Sequence, residues 1–384
     1  MNDGIVIIGT GLGGYTLARE LRKRDRDVPL TLVTADDGAF YSKPMLSNAL
    51  DKGKAADELV QSTAEEMAAS LDATILTHRR ILAIDPAERR VKLNGDRLAW
   101  DRLVLALGAD PIRLGLSGDA VHEILSVNDL RDYRRFRQAL VGARRVVILG
   151  AGLIGSEFAD DLARAGYHVA LVDPMPRPLG RLLPPRAGAR MRDALAERGV
   201  EWHLETTAES VARREGILQV MLADGTELAA DLVLSAVGLR PRVDLAREAG
   251  LQVGRGIRVD RWLTTSEPNV YALGDCAEVE GLVLPFVMPL MAEARALAAT
   301  LAGTPTPLVL PALPVAVKTP DCPVVVCPPP PGAEGGWQEE ETGEGVRGLW
   351  RSPDGRLLGF ALVGDAVADK QALAREVPPL FPAA

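Results

Sequence analysis

With 384 residues, 47% of them apolar and 25% charged, the chain has an ordinary globular composition and is too long for one hydrophobic core. Its net charge of −8 argues against nucleic acid as a partner, because phosphate binding needs concentrated Lys and Arg. No apolar run reaches the ~20 residues that cross a bilayer, and Gly4 leads straight into a strand-like run without a basic, cleavable leader, so a cytoplasmic protein without membrane insertion is expected.

Residues 4–37, GIVIIGTGLGGYTLARELRKRDRDVPLTLVTADD, read as an apolar strand, a Gly-rich turn, an amphipathic helix and a second strand. That is a βαβ unit, whose right-handed crossover makes the strands parallel. The turn spells Gly9-Thr10-Gly11-Leu12-x-Gly14. Glycines at this spacing permit a tight turn, let backbone N–H groups approach a pyrophosphate, and let the helix pack closely on the strand. The ribose-holding acid expected at the tip of the second strand falls on Thr34, with Asp36 and Asp37 just beyond. Asp36 or the Thr34 hydroxyl is the candidate; the alternative is that these acids open a solvated loop. A buried strand, LVLAL, then leads to Gly108.

Residues 145–174 repeat the pattern as RVVILGAGLIGSEFADDLARAGYHVALVDP. Gly150, Gly152, Leu153, Ile154 and Gly155 form its turn, Glu157 follows on the helix, and the second strand ends at Asp173. A carboxylate there accepts both ribose hydroxyls and repels a 2′-phosphate, which favours NADH over NADPH, although Arg177 and Arg181 lie downstream. A near copy of the LVLAL strand, at 229–241, passes through Gly238, and NVYALGD at 269–275 returns the chain to the first sheet. A helix follows at 289–301. From Thr304 prolines separate short β-branched runs, as in a small antiparallel sheet. The turn at 328–336 reads as a hairpin loop and 365–375 as a helix.

These elements predict an α/β protein with two Rossmann-like dinucleotide-binding domains, one of 1–111 with 239–311 and an inserted one of 112–238, plus a small α+β domain at 312–384. Cys322 and Cys327 are spaced C-x4-C, but residues five apart on a strand face opposite ways, so ordinary buried thiols are expected rather than a redox pair. No Cys/His cluster has zinc spacing and no His sits beside a Ser or Cys nucleophile, so no metal site is expected.

The order of two fingerprints, a Gly-Asp strand end and a small C-terminal domain is similar to that of the glutathione-reductase-like flavoproteins. Within that group GTGLGGY, TADDGAFYSKPMLSNAL, GAGLIGSEFADDL, SAVGLRPR, TSEPNVYALGDCAEV and PVAVKTPDCPVVVCPPP resemble the rubredoxin reductases over essentially the whole chain. The resemblance implies FAD in the first domain, NADH in the second, and rubredoxin as electron acceptor. It implies that Gly274 and Asp275 hold the FAD ribityl chain, that the helix carrying Glu293 aims its N-terminus at the flavin, and that Lys43 meets the FAD phosphates. Disulfide reductases carry cysteines just after the first unit; FYSKPMLSNAL has none, so hydride transfer without a protein nucleophile is expected. Related ferredoxin reductases read R-P-P-L-S-K here, and their second lysine, which pairs with a glutamate beside the flavin, becomes Asn48. Glu157 therefore needs another cation, and Lys318 is the natural substitute, against the alternative of a solvated strand lysine. Glu157 and Lys318 are thus the candidate catalytic pair. A ferredoxin or flavorubredoxin reductase, or a non-catalytic redox sensor like the apoptosis-inducing factors, is the alternative reading.

Overall fold

The structure is a computed structural model that describes residues 4–383. Residues 1–3 and 384, which the expected limits 1–111 and 312–384 include, lie outside the described residues.

Ile5–Ile8 is apolar at every position and buried throughout, as a strand covered on both faces must be. It sits at the centre of a five-stranded parallel sheet, in the order Val270–Ala272, Arg102–Leu105, Ile5–Ile8, Leu30–Val33, Thr74–Leu76. The strand after residue 269 thus returns from far along the chain to pair with Arg102–Leu105. Helix Leu12–Arg22 buries Tyr15, Leu17, Ala18 and Leu21, and packs against helix Val287–Leu301. The latter buries Leu290, Ala294, Leu297, Ala298 and Leu301, a 3.6-residue stripe facing the core.

The second βαβ unit forms a separate four-stranded parallel sheet, in the order Val200–Leu204, His168–Asp173, Arg145–Leu149, Leu232–Ser235. Where the chain leaves and re-enters the first sheet, Ala109–Pro111 pairs antiparallel with Leu239–Pro241. Arg242 clamps this ribbon: its Nε and Nη2 donate to Asp110 Oδ1 at 2.8 and 2.6 Å, and Nη1 donates to the Leu107 carbonyl at 3.0 Å.

The C-terminal sheet has five antiparallel strands, in the order Val315–Val317, Val324–Cys327, Leu357–Val363, Gly345–Arg351, Gly336–Thr342. The turn at 328–336 does not close a hairpin. Val324–Cys327 pairs with Leu357–Val363, and Gly336–Thr342 lies at the far edge. Burial explains the order. Leu357–Val363 is almost wholly apolar and buried, so it takes the middle, while GWQEEET alternates exposed and half-buried residues and suits an edge. The expected tail helix begins as a tight turn, Gly364–Asp369, before helix Lys370–Glu376. Cys322 packs with Val317 and Val324, whereas Cys327 packs with Val325, Phe360 and Leu362 in a different apolar cluster. Burial pushes both thiols up to about 11 and Cys276 to about 12. No helix among the described residues is long and apolar enough to cross a membrane.

Candidate functional site

Parallel strands leave a crevice at their carboxyl ends, and most of the candidate residues lie at two such edges. In the first sheet Gly9 follows Ile8, Thr34 follows Val33, Gly108 lies just past Leu105, and Gly274 just past Ala272. Gly9 has φ +116°, and a Cβ there would run into the Ala106 carbonyl; a Cβ on Gly14 would run into the carbonyl of Gly9. Only glycine closes the turn this tightly. Gly11, by contrast, faces open space and caps helix Leu12–Arg22 without a side chain, so the first-turn N–H groups point outward. Thr10 is buried beside them and Leu12 is half-buried. The Thr34 hydroxyl donates to Asp36 Oδ1 at 2.5 Å, which also accepts from the Gly38 N–H at 3.0 Å. Thr34 is therefore committed to Asp36, and the half-buried carboxylate is the acceptor that this strand end presents.

The second sheet repeats the geometry. Gly150 has φ +102°, Gly155 packs against its carbonyl, and Gly152 caps helix Leu153–Arg164 facing open space. Asp173 accepts from the Ala151 N–H at 2.6 Å and from the Met175 N–H at 2.8 Å. Its carboxylate is thereby locked against the Gly-rich turn. Leu153 is half-buried, Ile154 is exposed at the helix start, and Gly238 follows Leu232–Ser235, its carbonyl accepting from the Ile112 N–H.

Helix Leu153–Arg164 joins this cradle to the rest of the molecule. Glu157, Asp160, Asp161 and Arg164 recur at three- and four-residue steps and share one face. Lys318 Nζ lies 2.5 Å from Glu157 Oε2 and donates also to Ser47 Oγ at 2.8 Å and the Pro44 carbonyl at 2.7 Å. Glu157 further accepts from Ser47 Oγ at 2.5 Å and from the Lys318 N–H at 3.0 Å. A buried carboxylate is tolerated when it is paired and hydrogen-bonded in this way. Asp161 accepts from the N–H groups of Leu50 and Asp51, and Arg164 reaches Asp51 and Asp321. The second cradle, the loop after Tyr41 and the C-terminal sheet thus meet at one point.

Lys43 Nζ lies 3.7 Å from Asp275 Oδ2, which draws together two candidates that are far apart in sequence. Burial pushes the Lys43 ammonium down, and Asp275 opposes this. Glu293, 1% exposed, accepts from the Gly274 N–H at 2.6 Å. Burial pushes its carboxyl up to about 7, against the Gly274 hydrogen bond.

Sequence reasoning did not single out Ser47, Asp160, Asp161 or Arg242. Ser47 lies in the KPMLSN stretch and Arg242 in SAVGLRPR, but neither has a spacing that announces its partner. Asp160 and Asp161 had one available signal, their i+3 and i+4 offsets from Glu157.

Residues 3–298 match the pyridine nucleotide-disulphide oxidoreductase family, and residues 307–377 match a rubredoxin binding C-terminal domain. The chain is 51% identical over 379 residues to a rubredoxin-NAD(+) reductase of Alcanivorax borkumensis, covering 98% of this chain and 99% of that protein. It is 46% identical over 389 residues to one of Acinetobacter baylyi, covering 99% of each. In structure it is similar to a chain of a covalent putidaredoxin reductase–putidaredoxin complex, with a TM-score of 0.88, 29% identity, and coverage of 98% of this chain and 94% of that one. With its fingerprints and its C-terminal sheet both accounted for, the chain belongs to the pyridine nucleotide-disulphide oxidoreductase family, among its rubredoxin-NAD(+) reductases.

Proposed function

We propose that this protein is an FAD-dependent enzyme that takes hydride from NADH and delivers the electrons to rubredoxin. The observation that carries the reading is the meeting of Lys318, from the C-terminal domain, with Glu157, from the helix of the second cradle. The domain of rubredoxin-binding type is thereby tied directly to the nucleotide-binding machinery.

The first cradle fits FAD. Gly11 leaves room for a pyrophosphate against the outward N–H groups of helix Leu12–Arg22, whose positive end attracts it. The Asp36 carboxylate would accept ribose hydroxyls, Asp275 would accept from the sugar-alcohol chain, and Lys43 beside it would carry positive charge to the phosphates. Glu293 holds the Gly274 N–H and so fixes the turn that presents Asp275. A flavin bound there supplies the ability to take two electrons as hydride and release them singly. Glu157 and Lys318 contribute by position and compensated charge, and no thiol is required.

In the second cradle Asp173 would accept the ribose hydroxyls of NADH. We take 1–111 with 239–311 as the FAD domain, 112–238 as the NADH domain and 312–384 as the acceptor-side domain. We take the protein to be cytoplasmic. The test is to extract the flavin from purified protein and to follow NADH-driven bleaching of rubredoxin beside a [2Fe–2S] ferredoxin. FAD release and faster reduction of rubredoxin are expected. FMN release, or preference for the ferredoxin, would overturn the reading.

A further inference from the structure

A further buried acid lies beside the candidate site. Asp160 is 2% exposed, and its Oδ1 has no hydrogen-bond partner among the described residues. The buried Oδ1 of Asn48 is in the same position. Both residues line a cavity of about 40 Å³, together with Asp51, Lys52, Asp161, Arg164, Lys318 and Pro320. That volume holds about two or three waters. Two unpartnered acceptors need donors, and water supplies them. A metal ion is disfavoured, because Lys52, Arg164 and Lys318 balance Asp51, Asp160 and Asp161 around the cavity.

The cavity has a direction. One wall is Lys318, whose ammonium touches Glu157, and the other is Asp51 and Lys52, which are exposed. The reaction in turn has a proton to dispose of. When the C4–H bond of NADH breaks, its electron pair and proton leave together as hydride. Two rubredoxin irons then take one electron each and no proton. NADH and two oxidised rubredoxins therefore give NAD⁺, two reduced rubredoxins and one H⁺.

We propose that Asp160 is the proton-release group of this enzyme, taking that proton through water in the cavity it shares with Asn48 and Lys318 and passing it to solvent at Asp51 and Lys52. The proposal rests on the NADH-to-rubredoxin reading. In each turnover a cavity water that carries the released proton loses one O–H bond as an O–H bond forms on the Asp160 carboxylate, and that bond then breaks to a second water, so both the group and the water end as they began. Its charge surroundings suit this. Asp161 and Arg164 face it from its own helix, Asp51 and Lys52 from the loop, Arg198 from the end of the next helix, and Lys318, Asp321 and Cys322 from the C-terminal domain. Burial pushes the carboxyl up to about 6, with Arg164 opposing, so it exchanges protons readily near neutral pH.

The test uses the holoenzyme, reduced anaerobically with one equivalent of NADH and mixed with two equivalents of oxidised rubredoxin in weakly buffered indicator dye. In the wild type, proton appearance should keep pace with rubredoxin reduction. Asp160→Asn should slow proton appearance at least fivefold. Asn48→Leu, which fills the cavity and leaves the carboxylate intact, should do the same and decides alone if Asp160→Asn does not fold. The infrared difference between wild-type and Asp160→Asn holoenzymes should show a carboxylic C=O band that grows as pH falls through 6, the Glu293 carboxyl contributing equally to both and cancelling. Wild-type proton release in a folded, flavin-loaded variant, or a difference spectrum without that band, overturns the proposal. A wild type that bleaches no rubredoxin overturns the acceptor reading and the proposal with it, an outcome distinct from normal bleaching with unaltered proton release.

Discussion

Lys318→Met removes the only side-chain cation within ion-pair distance of the buried Glu157 carboxylate among the described residues. Removing one partner of a buried pair costs about 3–5 kcal/mol, because the remaining charge is stranded. Two features lower that figure here. Lys318 keeps 29% of its side chain exposed, and Glu157 retains the Ser47 hydroxyl and the residue-318 N–H as donors. The expected loss of unfolding free energy is therefore about 2–3 kcal/mol. Denaturant melts of Lys318→Met, Glu157→Gln and the double variant form a cycle that isolates the pair. Glu157→Gln removes the charge that needs compensation, so adding Lys318→Met to it should cost much less than Lys318→Met alone. A single-variant loss below about 0.5 kcal/mol, the range of an exposed ion pair, would refute the claim that the two domains are joined by a buried charge pair.

Asp173 bears on nucleotide choice: NADH should exceed NADPH at least tenfold in kcat/KM, or ~1.4 kcal/mol, and Asp173→Ala should shrink the ratio. Equal wild-type rates would show that the strand end does not read the ribose. Glu293 bears on pH. Its carboxyl is raised to about 7 in the folded protein from an ordinary 4.5, so its stabilising effect is complete below about pH 4.5 and is lost as pH rises through 7. Glu293→Gln stays neutral and can still accept from Gly274, so its stability relative to wild type should rise between pH 5 and pH 8 by an amount on the order of 2–3 kcal/mol; a pH-independent difference contradicts this. Replacing Cys276, Cys322 and Cys327 together by Ala should leave most NADH-to-rubredoxin turnover, since burial keeps all three thiols protonated near pH 7. Loss of electron transfer in a folded, yellow triple variant would restore a thiol mechanism.

The two parallel sheets were readable because a Gly-rich turn between an apolar strand and an amphipathic helix constrains everything around it. The first glycine needs positive φ, the third a close backbone, and the strands either side must then be parallel neighbours. The C-terminal sheet offered no such constraint. Short β-branched runs between prolines say that strands exist but not which ones pair, and the loop at 328–336 was misread for that reason. Lys318 came into view by subtraction, since Glu157 needed a cation that Asn48 cannot provide. Asp160 and Asp161 did not, because acids on a helix are usually solvated, and only the packing of the loop and the C-terminal sheet over that face buries them.

The central claim is that electrons pass from NADH through this protein to a one-iron acceptor without a thiol. Its most direct test is anaerobic stopped-flow mixing of the NADH-reduced holoprotein with oxidised rubredoxin. The account predicts that flavin absorbance returns while two rubredoxins are reduced per flavin; a flavin that NADH reduces fully but that stays reduced in the presence of rubredoxin would contradict it.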